Sequence, residues 1–243
     1  MNTRQRCNLS QGFTLTEILV LITILVVLAA LTMSGISKFR NMVDKASAMS
    51  TLKQLQTVNI SYSTDNNGRY LPNLTNDATG KRTFWVKNPE FLSMFLGELS
   101  EKNGKPVIPE SALDPKVVRA KKAFWDTIPA SFGQNVNGLP RTTSAPNFSK
   151  GYTTGKVTQP ERSMAFATAT DVRVAYPARL NWFSRNSESR EGKTTDGGLA
   201  YRHGNKALVV FFDGHVAEIS EGDMKRIDKE QGGSKSVFWY PEQ

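Results

Sequence analysis

The chain has 243 residues, of which 39% are hydrophobic and 22% charged, with 18 Gly, 11 Pro and a single Cys. These proportions exclude wholesale disorder, a collagen-like repeat and a disulfide framework, and the length suits one domain or one domain with an appendage. Lys and Arg number 31 against 22 Asp and Glu, a formal net charge of +9 that favours acidic partners or an anionic membrane without choosing between them.

The mean hydropathy is mildly negative, yet one window near the start is strongly apolar. Ile18 to Met33 reads ILVLITILVVLAALTM, without charge and with Thr23 and Thr32 as its polar residues. Taken from Phe13 to Met33, a helix would extend about 32 Å at 1.5 Å per residue, close to the thickness of a hydrocarbon core. A short polar head, MNTRQRCNLSQG, precedes it, with Arg4 and Arg6 as its side-chain charges. Cationic heads of this kind stay on the cytoplasmic side, although Lys38, Arg40 and Lys45 beyond the window weaken an orientation drawn from charge alone. The same form belongs to a secretory signal peptide. Against that reading, Glu17 stands at the entrance to the apolar run and no small-x-small cleavage site follows Ala30. An ionisable group in lipid costs about 2.5 to 3.5 kcal/mol at the centre and less near an end, so Glu17 calls for a partner or a place among the headgroups.

Gly12-Phe13-Thr14-Leu15-Thr16-Glu17 followed by the apolar run resembles the processing site of type IV prepilins and type II secretion pseudopilins. The resemblance implies cleavage between Gly12 and Phe13 by a membrane aspartyl prepilin peptidase, methylation of the new amino terminus, and a role for Glu17 in attracting the terminus of a neighbouring subunit. Gly12 lets the backbone extend into a peptidase without a side-chain clash. Cleavage there would remove Arg4, Arg6 and Cys7, leaving no cysteine in the mature chain. Ser34-Gly35 stands near where many pilins carry a proline. The family further implies single-pass anchoring in the inner membrane, a globular part exported to the periplasm or cell surface, and extraction from lipid into a filament. Its partners would be the peptidase, other pilin or pseudopilin subunits and inner-membrane lipid.

Past Ser34 the apolar residues thin to Phe39, Val43, Ala46, Met49, Leu52, Leu55, Val58 and Tyr62, in steps of three and four, with Lys38, Arg40, Asp44, Lys45, Lys53 and Gln54 between them to face water or other subunits. No breaker precedes Asp65-Asn66-Asn67-Gly68, so one helix is expected from about Phe13 to about Thr64, roughly 78 Å long. The stripe is read as core packing against a following sheet.

Downstream, Asn88-Pro89-Glu90 ahead of Phe91, Leu92, Phe95, Leu96 and Leu99 predicts a short capped helix. Residues 100 to 162, rich in Gly, Pro, Ser, Asn and Lys, are expected to form a long surface excursion. Ser163 to Thr168 and Leu208 to Phe212 read as strands, and Asp213-Gly214 predicts a two-residue type I′ turn joining the second to His215–Ile219. Ser220-x-x-Asp223 reads as a capping box before a brief helix ended by Gly232-Gly233. Val237-Phe238-Trp239-Tyr240 is expected to pack back on the domain.

His203, nine residues, then Asp213-Gly214 resembles the H-x9-DG signature of a pilin-like family sharing this processing site, and Ser131-Phe132-Gly133-Gln134-Asn135 resembles its Ser-aromatic-Gly-x-Asn segment. The bottom-up reading is structural, with Asp213 and Gly214 forming the turn and His203 bonding a neighbouring loop. His203 and His215 with Asp171, Asp196 and Asp213 could in principle supply a metal or an acid/base pair, and Asp196 and Asp213 are the obvious oxygen donors for a calcium ion. No recognised ligand spacing, phosphate loop, nucleophile elbow or dinucleotide fingerprint appears, so neither catalytic residue, metal nor cofactor is expected.

The expected architecture is α+β. A leader (1–12) precedes a transmembrane and assembly helix (13–35), an amphipathic continuation (36–64) and a pilin-like globular region (65–243) in which the helix packs on a small antiparallel sheet. The expected function is that of a structural subunit of a type IV pilus-like or type II secretion pseudopilus filament. A DNA- or surface-binding minor pilin competes with it, motivated by the basic balance, by Lys81, Arg82, Lys87, Lys121 and Lys122, and by Trp85, Trp125 and Trp239 read as exposed. A secreted module behind an ordinary signal peptide is the other alternative.

Overall fold

The computed structural model of the chain describes residues 12–76, 82–97, 101–102, 105–106, 108–120, 131–139, 150–176, 184–185 and 198–242. The leader before Gly12, Lys81, Lys121, Lys122, Trp125 and Asp196 lie outside them. The chain divides into two units, Met1–Val43 and Asp44–Gln243.

Helix α1 runs unbroken from Leu15 to Asp65. In the first unit its start is a reciprocal cap. The Glu17 carboxylate accepts from Thr14 N at 2.8 Å and from the Thr14 hydroxyl at 2.9 Å, while Glu17 N donates to Thr14 Oγ1 at 3.3 Å. Thr14-x-x-Glu17 is thus a capping box that satisfies helix-end amides. Beyond it the apolar side chains are uncovered by the described residues: Leu19 is 55% exposed and Val26 67%. This is the one helix among the described residues long and apolar enough to cross a membrane. Thr23 turns its hydroxyl back onto Val20 O at 2.7 Å, the arrangement by which a threonine is satisfied without water.

The second unit is α+β, with a small mixed sheet. After α1 come strands β1 (Leu74–Asn76) and β2 (Arg82–Phe84), helix α2 (Pro89–Leu96), and a two-residue ladder of β3 (Glu101–Lys102) and β4 (Lys105–Pro106). Helix α3 (Pro115–Ala120) and strands β5 (Phe132–Asn135), β6 (Met164–Thr168), β7 (Arg173–Val174), β8 (Ser184–Arg185), β9 (Ala200–Tyr201), β10 (Lys206–Phe211) and β11 (Val216–Ser220) follow, and α4 (Glu221–Gln231) ends the series. The main sheet has five strands in the order β11-β10-β6-β5-β7. It is antiparallel except for β5 and β7, which pair in parallel, so the wholly antiparallel sheet expected from the hairpins is corrected to a mixed one.

Alternate residues of β10 enter two separate cores. Leu208 and Val210 join Phe166, Trp85, Phe91 and the Leu52 and Leu55 side chains of α1. Ala207, Val209 and Phe211 join Met224 of α4 with Phe238 and Trp239. A strand covered on both faces needs a continuous apolar run, which is what Ala-Leu-Val-Val-Phe supplies. The carboxy-terminal Phe-Trp-Tyr segment is accordingly packed back on the domain, as its composition suggests.

On α1 the face toward the domain is Asp44, Ala48, Thr51, Leu52, Leu55, Gln56, Asn59 and Tyr62, all buried. The row read from sequence departs from it: Phe39, Val43 and Ala46 are exposed. Repeated steps of three each fall about 60° short of a full turn, so that row winds round the helix instead of keeping to one side. Asp44, expected in water, is buried against Arg119, and Lys45 bonds Glu218 at 2.6 Å. The buried amides tie the helix to the sheet, Gln56 Nε2 donating to Phe212 O at 2.8 Å and Leu71 N donating to Asn59 Oδ1 at 2.9 Å.

Asn88 caps α2 by accepting from Phe91 N at 3.2 Å, with Pro89 in its first turn. Ser220 and Asp223 form the capping box of α4, which Gly232 ends in the left-handed conformation. The hairpin of β10 and β11 is present, but its turn is not type I′. Phe211 pairs with His215 across a loop of three, with Gly214 at φ +92°. Type I′ needs two consecutive positive φ values, and those occur at Gly204 (+64°) and Asn205 (+60°), between β9 and β10. The surface excursion expected over 100–162 is also corrected. β5 lies within the main sheet, fully buried, and Tyr152 is buried with its hydroxyl donating to Asn137 O at 2.6 Å.

Removing a large side chain from the inner face of α1 should therefore matter where the outer row does not. Leu55→Ala is expected to lower the domain's unfolding free energy by about 2 to 5 kcal/mol, and Phe39→Ala to leave it within about 0.5 kcal/mol, in denaturant titrations followed by tryptophan fluorescence.

Candidate functional site

Two sets of residues singled out by sequence have a defined place. The first is the start of α1. A Cβ built on Gly12 meets nothing within 4 Å, and Phe13 and Glu17 are exposed. Among the described residues nothing covers the bond between Gly12 and Phe13. Glu17, with Phe13, Thr16, Ile18, Val20, Leu21 and Ile24, lines a shallow apolar concavity along the helix. Its carboxylate is held by the Thr14 cap, a local role that the sequence reading passed over although T-x-x-E is its signature.

The second set is divided, with His203 buried and Asp213 exposed. The H-x9-DG residues are not one site: His203 and Asp213 stand at opposite ends of β10, a strand about 20 Å long. His203 closes the Gly204-Asn205 turn, His203 N donating to Lys206 O at 3.2 Å, and its ring reaches out of the turn to Asp114, which precedes α3. His203 Nε2 lies 3.1 Å from Asp114 Oδ2, and Arg202 Nη1 lies 3.2 Å from the same oxygen, with all three side chains fully enclosed. An ionised carboxylate only accepts, so Nε2 carries the proton that makes the first bond. Asp114 Oδ1 accepts from Lys116 N at 2.9 Å, and Asp114 N donates to Ser131 Oγ at 3.0 Å. Arg202 also donates to Ser131 O at 3.1 Å and to Ala169 O at 2.6 Å. His203 Nδ1 is buried without a hydrogen-bond partner among the described residues.

Burial pushes the Asp114 carboxyl upward. The hydrogen bond from His203, the charges of Arg202 and His203 and the Lys116 N–H outweigh it and hold the group below its ordinary value of 3.8. This pairing answers the general problem of an enclosed charge, which is tolerated only when matched and hydrogen-bonded.

The Ser131–Asn135 segment meets this network and continues it. Gly133 has no room for a side chain, since a Cβ would lie 2.7 Å from Asp171 O. Gln134 Nε2 donates to Leu71 O at 2.6 Å, and Asn135 Nδ2 donates to Met164 O at 2.9 Å and Trp239 O at 3.0 Å. Ser131, Gln134 and Asn135 of the motif thus fix β5 to its neighbours. At the far end of β10, Asp213 Oδ1 is 2.7 Å from His215 Nδ1 and accepts from His215 N at 3.0 Å, with the His215 ring stacked on Phe211 at 4.2 Å. Asp213 and Gly214 form the turn, as expected.

His203, His215, Asp171 and Asp213, considered together as donors from sequence, do not form one site, although His215 and Asp213 pair with each other. His203 serves Asp114, His215 serves Asp213, and Asp171 Oδ1 accepts from Val172 N at 2.7 Å. Among the described residues no group of three or more His, Cys, Asp or Glu is placed to hold a metal ion. Trp85 and Trp239, read as exposed, are fully buried, Trp85 Nε1 donating to Val172 O at 2.6 Å and Trp239 Nε1 to Asp228 Oδ1 at 3.0 Å. Neither is a platform on which a base could stack, and Trp125, the third of the set, lies outside the described residues. The chain matches no protein-family model, no curated protein and no solved structure.

Because Asp114 neutralises an enclosed guanidinium, Asp114→Asn is expected to destabilise the domain by about 3 to 5 kcal/mol. The sign of the pH effect follows from the depressed carboxyl. Its contribution is fully present above the ordinary value of 3.8 and is lost as pH falls through the lower folded value. Unfolding free energies measured through the acid range should show this loss in the parent chain and lack it in the variant.

Proposed function

We propose that the chain is a structural subunit of a type IV pilus-like or type II secretion pseudopilus filament, cut after Gly12 by a prepilin peptidase and polymerising through the first part of α1. The observation that carries the reading is the helix itself. α1 is continuous over 51 residues, carries the uncharged apolar run Ile18–Met33 in its first unit and is built into a folded α+β domain in its second. Side chains such as Ile18, Leu19, Ile22, Leu25 and Val26, each about half exposed or more, are left uncovered by the described residues. Lipid covers them before assembly and the same helix of other subunits covers them afterwards.

A helix satisfies its own backbone hydrogen bonds, so either surrounding accepts it, and transfer between them leaves the fold of the domain untouched. Close packing and dispersion hold helices together in an apolar medium. Glu17 supplies direction: a carboxylate near the end of an oily rod gains most from a cation at a fixed height, and the amino terminus that cleavage creates at Phe13 is such a cation. In the uncut chain the Thr14 cap occupies the carboxylate. The domain anchors in the inner membrane by this one crossing, with its globular part exported, and its partners are the peptidase, lipid and further subunits of the same kind.

The first test is the mass of the intact mature chain, extracted from the membranes of cells that possess a prepilin peptidase. A chain starting at N-methylated Phe13 is expected. A chain starting beyond Ala30, cut on the outer side, would overturn the reading.

A further inference from the structure

Two ion pairs fasten the first turn of the domain-held part of α1. Asp44, only 4% exposed, meets Arg119 of α3. Lys45 Nζ lies 2.6 Å from Glu218 Oε1 on β11, and Glu218 Oε2 lies 3.2 Å from Lys206 Nζ on β10. The apolar fastening begins later along the helix. Ahead of Leu52 only Ala48 enters the core completely and Met49 in part, whereas Leu52, Leu55 and Tyr62 are buried. The helix is thus held by charge at one end of its docked length and by packing along the rest.

Solvent reaches three of the four side chains at the charged end, and it reaches the enclosed Asp44 pair through Arg119. The side chains of Arg119, Lys45 and Glu218 are 41%, 35% and 26% exposed. Ion pairs that water and salt can reach are weak and screened, with a Debye length of about 10 Å at 0.1 M that shortens as salt is added. The supports of the clasp do not share that weakness. α3 is anchored at its start by the enclosed Asp114, and Lys116 Nζ donates to Arg202 O at 2.7 Å. Glu218 stands on a strand paired with β10 along its whole length.

We propose that Asp44–Arg119 and Lys45–Glu218 form an ionic clasp that opens while the Leu52–Tyr62 face stays packed. Opening moves the point at which α1 leaves the domain from Asp44 to about Leu52 and frees roughly 12 Å of helix. The sheet, α3 and the Asp114 network remain in place, so the clasp changes how much of the rod the domain holds without unfolding anything. It depends on the docked length of the helix and not on what covers the apolar part.

Ala48 is the reporter, because it is buried only while the clasp is shut. The full chain carrying Cys7→Ser and Ala48→Cys, reconstituted in nanodiscs of phosphatidylethanolamine and phosphatidylglycerol, is reacted with a bulky maleimide at about 50 mM and about 500 mM NaCl, a range over which surface pairs lose most of their attraction. A parallel chain carries Cys7→Ser and Leu55→Cys. The Ala48→Cys thiol is expected to label about tenfold faster at the higher salt while the Leu55→Cys thiol stays slow at both. Adding Asp44→Asn with Glu218→Gln should make the Ala48→Cys thiol fast at both concentrations and abolish the salt response. The proposal is overturned if that thiol is as slow as Leu55→Cys at both salts, or if the two accelerate together, which would mean that the whole domain opens. Should the doubly neutralised chain fail to fold, the salt response of the parent pair decides alone.

Discussion

A single helix has to satisfy two surroundings, and the rest of the structure is arranged around that requirement. Through the run Ile18–Met33 α1 offers apolar side chains, and those with a stated burial are exposed, with nothing among the described residues to cover them. From Asp44 onward the same helix turns one face into a domain and must be held there at a fixed rotation. An apolar face alone tolerates rolling. Gln56 and Asn59, buried and bonded to Phe212 O and Leu71 N, do not, because a small rotation would strand enclosed polar groups at a cost of about 1 to 3 kcal/mol each. The helix is oriented by its amides and stabilised by Leu52, Leu55 and Tyr62.

The enclosed network at Asp114 does for the domain what Gln56 and Asn59 do for the helix. It joins the loop before α3, the start of β5 and the turn between β9 and β10, three pieces distant in sequence that share no long strand pairing. Short elements such as α3 and β9 bury too little surface to fix themselves. A carboxylate shared by an arginine and a histidine fixes them, since any misplacement leaves a charge alone in the interior. This gives the H-x9-DG residues a physical account: His203 and Asp213 mark the two ends of β10, one locking its entry turn to α3 and the other shaping its exit.

Most of the main-chain plan was legible in the sequence where local chemistry and period agree. The extent of α1, the caps of α2 and α4, the strand at Met164–Thr168 and the β10–β11 hairpin each follow from a breaker, a cap or an apolar run. β5 was not legible as a strand, because Phe-Gly-Gln-Asn has neither alternation nor branched side chains; what makes it a strand is backbone pairing with β6 and β7, and the Gln134 and Asn135 side chains add three bonds to carbonyls far along the chain. The partner of His203 was equally hidden, since Asp114 lies 89 positions away in a segment without period. Turn type was misplaced for a simpler reason. Asp-Gly and Gly-Asn both favour turns, and only the closing hydrogen bonds distinguish a loop of three from a loop of two. The tryptophans illustrate the opposite error, a guess from residue type where Trp85 and Trp239 needed their N–H partners to be known before burial was credible. At the start of α1 the residues were read for assembly and their local geometry was overlooked, although Thr14 and Glu17 carry the spacing of a reciprocal cap.

The assembly role proposed for Glu17 beside its cap sets the most direct measurement of the central proposal, that one oily helix with an acid near its tip is both tether and polymer contact. Glutamine can keep the cap at Thr14 but carries no charge, whereas alanine keeps neither. Chains carrying Glu17→Gln or Glu17→Ala, expressed beside the parent chain, are compared by the fraction found in sheared or sedimented filaments against the amount held in the membrane. The account predicts that both reach the membrane at parent levels and that both are depleted from filaments about tenfold or more. Incorporation of the Glu17→Gln chain at the parent level would contradict it and leave Glu17 with its cap alone.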